Sequence, residues 1–206
     1  MSLRVGLERI HLDRESWVDY GPWLGDAEQA SLHARLVSEL EWHARPINVF
    51  GRSVLQPRLI AWAGGLPYRY SGQTLPPQPW TPTLTELLER LFRTTGVFYN
   101  HVLLNRYRDG RDHMGRHADD EPELGRDPTI AAISFGAPRR FVIESKSRRY
   151  RKKRTIMMEP GSLMVMGGRM QHRFRHAVPK QERIEDERIN VTFRFLTRLP
   201  VPGRRR

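Results

Sequence analysis

The sequence predicts an α+β protein built on a double-stranded β-helix, or jelly roll, with N-terminal helices buttressing one sheet. Three observations carry that expectation: two helical apolar stripes in the first half of the chain, seven short β-rich segments in the second, and turn residues between those segments. The 206 residues suit one domain with a substantial core.

Residues 26–42 read as an amphipathic helix, with Asp26 as its cap and Leu32, Leu36, Val37 and Leu40 at helical spacing. A second helix follows Thr81-Pro82, where a capping hydroxyl precedes a proline at the first helical position. Leu84, Leu87, Leu88, Leu91 and Phe92 form its apolar stripe, and Gly96 closes it. Between the helices, residues 45–80 are rich in glycine, proline and aromatics, which suits short strands and turns lying over a core as a lid. Strands are expected at 97–107, 129–135, 140–144, 155–158, 162–166, 174–178 and 188–196, separated by turns such as Asp109-Gly110 and Pro160-Gly161. The chain then divides into an extension with its buttressing helix (1–44), a lid (45–80), a helix with the jelly-roll core (81–200) and a basic tail (201–206).

The absence of cysteine excludes disulfides, iron-sulfur clusters, zinc ribbons and thiol nucleophiles, so any metal must sit on histidine and carboxylate. No apolar run approaches the ~18 residues that would suggest a membrane span, and the first ten residues carry Arg4, Glu8 and Arg9 without an apolar stretch. A cytoplasmic, membrane-free protein is expected. The net charge of +12, from 35 Lys and Arg against 23 Asp and Glu, favours a polyanionic partner, although a basic soluble surface gives the same count. Clustering is more telling, because seven of the ten residues 145–154 are Lys or Arg and the chain ends Arg204-Arg205-Arg206.

His117 and Asp119, in Gly115-Arg116-His117-Ala118-Asp119-Asp120-Glu121, follow a strand and a turn, and alternation places residues i and i+2 on one face. Two imidazoles and a carboxylate form the facial set that holds Fe(II) with open positions. His172 and His176 both suit the third position, and spacing does not choose between them. A His-x-Asp pair by itself is better explained by a surface loop with a satisfied histidine. On the last strand, Ile189, Val191, Phe193 and Phe195 alternate with Arg188, Asn190, Thr192 and Arg194. The ordinary reading of such a strand is a solvated polar face. Yet Arg188 and Arg194, roughly 20 Å apart along the backbone, can lean inward to opposite ends of a small dianion, a task suited to the planar guanidinium fork. Asn105 and Tyr107 also stand at i and i+2 and can reach the same ligand.

These residues resemble the AlkB-type Fe(II)/2-oxoglutarate dioxygenases over roughly residues 45–196. The motifs are Asn105-Arg106-Tyr107, His117-Ala118-Asp119-Asp120-Glu121, Ile133-Ser134-Phe135-Gly136, His176-Ala177-Val178-Pro179 and Arg188-Ile189-Asn190-Val191-Thr192-Phe193-Arg194. The resemblance implies His117, Asp119 and His176 as iron ligands, choosing His176 over His172. It implies Asn105, Tyr107, Arg188, Asn190, Thr192 and Arg194 as the 2-oxoglutarate site. It also makes the lid a nucleotide-recognition segment, with Arg58, Tyr68, Tyr70, Asp120 and Glu121 at base-pocket positions and Tyr70 stacking the extruded base against His117. Val49-Phe50-Gly51 resembles the hairpin of members acting on duplex DNA, with Phe50 as the apolar finger. The segment 180–187 departs from those members, being mixed and locally acidic rather than basic.

The implied activity is oxidative demethylation of N1-methyladenine and N3-methylcytosine in DNA, with RNA as the other nucleic acid to consider. Fe(II), O2 and 2-oxoglutarate are consumed or required, and succinate, CO2 and formaldehyde are released. Single- and double-stranded DNA are both expected partners of a monomeric enzyme. The alternative is a dioxygenase of the same type acting on a protein or small molecule.

Overall fold

Alternating apolar residues on both faces of a strand need two partners, and the fold supplies them as a second sheet and a pair of helices. The computed structural model describes residues 6–49, 52–70, 73–147, 149 and 151–197. In chain order the elements are β1 (Glu8–His11), β2 (Ser16–Pro22), α1 (Asp26–Glu39), β3 (Pro46–Val49), β4 (Arg52–Leu55), β5 (Leu59–Gly64), β6 (Tyr68–Tyr70) and β7 (Gln73–Leu75). Then come α2 (Pro82–Thr95), β8 (His101–Tyr107), β9 (Met114–His117), a 3-10 turn (Pro122–Leu124), β10 (Ile130–Gly136), β11 (Arg139–Ser145) and β12 (Lys153–Met158). The last elements are β13 (Ser162–Gly168), the single-turn α3 (Met170–Arg173), β14 (Phe174–Val178) and β15 (Arg188–Arg194).

Seven strands form the large sheet in the order β1-β2-β13-β10-β15-β8-β5, and four form the small sheet in the order β12-β11-β14-β9. Every pairing is antiparallel. One core cluster includes Leu103, Tyr107, Ile130 and Ala132 of the large sheet with Phe141, Ile143 and Phe174 of the small one. The other packs Val102, Leu104, Ala131, Ile133, Val191 and Phe193 against Leu32 and Leu36 of α1 and Leu84, Leu87 and Leu91 of α2. Neighbouring residues on β8 and β10 therefore enter different cores, as the two-residue strand period requires. This two-sheet arrangement with helices on one outer face is the jelly roll expected from the strand count.

Helix α2 begins and ends as its sequence dictates. Thr81 accepts a hydrogen bond from the Leu84 backbone N–H at 3.3 Å, and Gly96 adopts φ 70° while its N–H bonds Phe92 O at 2.8 Å. Phe92 departs from the expected stripe: it is 41% exposed and stacks on Phe98 at 4.3 Å. Helix α1 is capped at Gly25 without a side-chain bond, so Asp26 is its first residue rather than its cap, and it stops at Glu39.

Two strands before α1 were not expected. β2 runs alongside β13 from Ser162↔Pro22 to Gly168↔Ser16, which makes residues 8–22 part of the large sheet. β15 ends at Arg194, and Phe195, placed by alternation on the apolar face, is 46% exposed. Within residues 45–80, β3 pairs β4 and β6 pairs β7 as separate hairpins, while β5 joins the large sheet. Among the described residues no helix is long and apolar enough to cross a membrane.

Candidate active site

The polar face of β15 points into the space between the sheets, because its apolar face is taken by the helices. Arg188, Thr192 and Arg194 are 1%, 5% and 3% exposed, so the expectation of a solvated face fails and the inward reading holds. The adjacent strand β8 pairs Asn190 with Asn105 and Arg188 with Tyr107, bringing the two polar rows side by side. Opposite them, β9 and β14 place His117 and His176 directly across the ladder, with an irregularity between His176 and Val178. Local disruption of this kind re-aims a side chain at a sheet end.

His117, Asp119 and His176 each present a ligand atom within 4.8 Å of the others. His117 Nε2 lies 3.6 Å from Asp119 Oδ1, and the two imidazole centroids are 4.3 Å apart. His117 Nδ1 donates to Gly115 O at 2.9 Å, which leaves Nε2 as the lone-pair nitrogen. Phe141 stacks on the other side of His176 at 5.1 Å.

Burial lowers the His176 pKa to about 3, with the charge of His117 adding to the effect, and burial lowers that of His117 as well, so both rings are neutral near pH 7. Asp119 is opposed by burial but held well below the usual carboxylate range by Arg194, His176 and His117. Arg194 Nη2 donates to Asp119 Oδ2 at 3.0 Å, turning Oδ1 toward His117. Neutral imidazoles beside an ionised carboxylate are the protonation states a divalent cation requires. His172 lies on α3 outside this set, so the structure groups His176 with the pair.

The fit to a dianionic co-substrate rests on buried guanidinium groups. Arg188 Nη2 donates to Ser134 Oγ at 2.9 Å and to Asn190 Oδ1 at 3.0 Å, while Asn190 Nδ2 donates to Thr192 Oγ1 at 2.7 Å. Arg188 Nε and Nη1, and Arg194 Nε and Nη1, are buried without protein hydrogen-bond partners. Buried donors on a cation are costly unless an acceptor meets them, and a carboxylate is the acceptor that matches the fork. Burial lowers the Arg188 pKa to about 10, which still leaves it charged near neutrality. Asn105, Tyr107, His117, Asp119, His176, Asn190, Thr192 and Arg194 line one cavity, with Met114, Met158, Met164 and Met166 supplying its soft apolar wall.

The residues assigned to the base pocket are placed less uniformly. Tyr68 is 1% exposed and donates its hydroxyl to Glu121 Oε1 at 3.1 Å, and burial raises the Glu121 pKa. Asp120 accepts from Lys146 Nζ at 2.8 Å. Arg58 is buried and donates Nε to Asn105 Oδ1 at 2.6 Å, tying the segment before β5 to β8. Tyr70 lies on β6, and its side chain, like all of Phe50 and the 201–206 tail, lies outside the described residues.

Two polar residues at the site had no assigned role in the sequence. Ser134 carried a signal, being a hydroxyl at the inward-facing position between Ile133 and Phe135. Gln171 carried none: it lies on α3, 1% exposed, and its Oε1 accepts from the Asp119 backbone N–H at 3.0 Å.

The 2OG-Fe(II) oxygenase superfamily matches residues 20–194. The chain is 39% identical over 187 residues to the DNA oxidative demethylase ALKBH2 of Mus musculus, covering 85% of this chain and 78% of that protein. It is 38% identical to the Bos taurus ALKBH2, with 90% of this chain and 70% of that protein covered. It is also 39% identical to the Rattus norvegicus alpha-ketoglutarate-dependent dioxygenase alkB homolog 3, over 78% of this chain and 57% of that protein. The solved structure of OsALKBH1 shares the fold at TM-score 0.62 and 13% identity, over 91% of this chain and 100% of that one.

Proposed function

The chain belongs to the 2OG-Fe(II) oxygenase superfamily, and from that membership we propose that it is an Fe(II)- and 2-oxoglutarate-dependent oxidative demethylase of alkylated nucleobases in DNA. The observation that carries the reading is the convergence of His117, Asp119 and His176 within 4.8 Å, in the cavity that Arg194 also lines. Relatives named as DNA oxidative demethylases give the substrate class.

His117, Asp119 and His176 hold the iron, and Arg188, Arg194, Asn105, Tyr107, Asn190 and Thr192 hold 2-oxoglutarate. Bound Fe(II), with O2 and 2-oxoglutarate, supplies the oxidation that turns an N-methyl group into N-hydroxymethyl while releasing succinate and CO2. The hydroxymethyl adduct then loses formaldehyde and restores the base. The protein's own task is placement. The Asp119–Arg194 pair keeps the carboxylate ionised and fixed, the methionine wall excludes water, and the lid presents the base through Arg58, Tyr68, Tyr70, Asp120 and Glu121. N1-methyladenine and N3-methylcytosine are the proposed lesions, with Phe50 as the finger that fills the gap in duplex DNA. RNA as a further substrate, a monomeric state and a cytoplasmic location belong to the same proposal.

The decisive assay incubates the protein with Fe(II), ascorbate, 2-oxoglutarate and an oligonucleotide carrying N3-methylcytosine, and reads restored cytosine by mass spectrometry. Repair that requires both iron and co-substrate and vanishes in His117→Ala is the expected result. Cosubstrate turnover without repair would move the activity to a protein or small-molecule substrate. Tyr70→Ala should cripple repair while sparing uncoupled 2-oxoglutarate turnover. Phe50→Ala should lose activity selectively on duplex over matched single strands, and an equal change on both would remove the finger role.

A further inference from the structure

Resting on the reading that His117, Asp119 and His176 hold the iron, we propose that Gln171 is a positioning residue for that centre: its side-chain amide fixes the backbone of the carboxylate ligand and thereby sets metal affinity. Asp119 lies two residues beyond the end of β9, where the ladder with β14 has stopped at His117↔His176. Among the described residues no strand partner holds its backbone. Instead its N–H donates to Gln171 Oε1 at 3.0 Å, and Gln171 Nε2 donates to the Met166 sulfur at 3.6 Å.

The amide has only one workable orientation. A backbone N–H needs an acceptor and a thioether sulfur can only accept, so the oxygen must face Asp119 and the nitrogen must face Met166. With Gln171 1% and Asp119 4% exposed, both contacts lie away from bulk water.

Chain connectivity makes this contact a link between ligands. Gln171 sits on α3, the turn that leads directly into β14 and His176. Lys146 reinforces the link, donating Nζ to Gln171 O at 2.8 Å and to Asp120 Oδ2 at 2.8 Å. Asp119 and the residue after it, Asp120, are therefore both tied to the turn that leads into the strand of the third ligand. Side-chain orientation of Asp119 comes from Arg194, and backbone placement comes from Gln171. Outer-shell partners of metal ligands are typically worth about 10–100-fold in metal affinity or activity.

The test titrates Co(II), as an oxygen-stable stand-in for Fe(II), into the whole protein and follows binding by calorimetry and by the visible spectrum of the bound ion. Gln171→Leu should weaken binding about 10–100-fold and alter the spectrum, whereas Gln171→Glu, held protonated by burial and so keeping an oxygen facing the Asp119 N–H and an O–H facing Met166, should recover most of the affinity. Gln181→Ala is the control, because Gln181 Oε1 accepts from the Arg140 backbone N–H at 2.7 Å in an exposed setting; its affinity should match wild type. Gln171→Leu binding as tightly as wild type, or Gln171→Glu failing as badly as Gln171→Leu with the same fall in thermal midpoint, would overturn the proposal. Should Gln171→Leu fail to fold, Lys146→Met provides the reading: a several-fold loss supports the link and unchanged affinity overturns it. A wild-type protein that binds no Co(II) overturns the metal centre itself, and the positioning role with it.

Discussion

His101 is buried on β8 with neither ring nitrogen hydrogen-bonded, and its ring packs on Tyr68 at a centroid distance of 4.6 Å. Burial lowers its pKa from 6.5 to about 3, with Arg194 adding to the effect. Between those values the unfolded chain binds a proton that the folded chain does not. Stability is thus fully present above pH 6.5 and falls as pH drops toward 3, by about 2 kcal/mol at pH 5 from this group. His176, also lowered to about 3, adds to the same acid limb in the metal-free protein. Replacing His101 with Phe removes one titrating group while keeping a ring against Tyr68. The difference in unfolding free energy between about pH 7.5 and about pH 5 should then shrink by about 2 kcal/mol in denaturant titrations; an unchanged acid slope would show that His101 is not the group responsible.

At the scale of elements, two glycines with nearly the same backbone angles separate local strain from site geometry. Gly96, at φ 70°, ends α2, and a β-carbon added there would meet nothing within 4 Å, so Gly96→Ala should cost about 1–2 kcal/mol and leave co-substrate binding alone. Gly136, at φ 76°, pairs with Arg188, and a Cβ there would lie 2.4 Å from Glu187 O. Gly136→Ala must therefore push away the start of β15. Besides a larger fall in thermal midpoint, it should raise the KM for 2-oxoglutarate several-fold; equal KM values in the two variants would contradict the coupling. The same elements show what the sequence made legible. Thr81, Pro82 and Gly96 are local signals with local consequences, and the alternation of 188–194 marked both faces of β15. β2 escaped because Trp17 packs on the helix-side core while Val18 and Tyr20 pack between the sheets, so apolar side chains fall on both faces and blur the period, and β1 escaped because Glu8–His11 is largely polar and exposed, with no apolar face to mark it. The His-x-Asp pair is legible as a motif, but spacing leaves His172 and His176 open and only the family resemblance selects His176, because its place beside His117 depends on the pairing of β9 with β14, a long-range contact that local spacing does not encode. Gln171 was invisible for the same reason, since its role exists only once α3 is folded against the segment after β9.

On the whole molecule, the charge of +12 is unevenly used. Many cations are already neutralised: Lys146 by Asp120, Lys153 by Glu144, Arg106 by Glu187 and Arg173 by Asp13. On the β11–β12 hairpin, Arg151 in the turn and Arg154 on β12 lie exposed with no carboxylate at ion-pair distance among the described residues. Each phosphate neutralised on duplex DNA contributes about −0.9 to the slope of log Kobs against log salt. If these two arginines meet phosphates, Arg151→Ala with Arg154→Ala should make the slope shallower by about 2. Affinity should weaken equally for lesion-containing and lesion-free duplexes, because phosphate contacts carry no base information. The co-substrate KM should not move, since neither residue lines the iron cavity. Fluorescence anisotropy across a salt series measures the slope directly. An unchanged slope would place the phosphate track elsewhere on the basic surface, whereas a loss confined to lesion-containing DNA would mean that the hairpin acts on the flipped base rather than on the backbone.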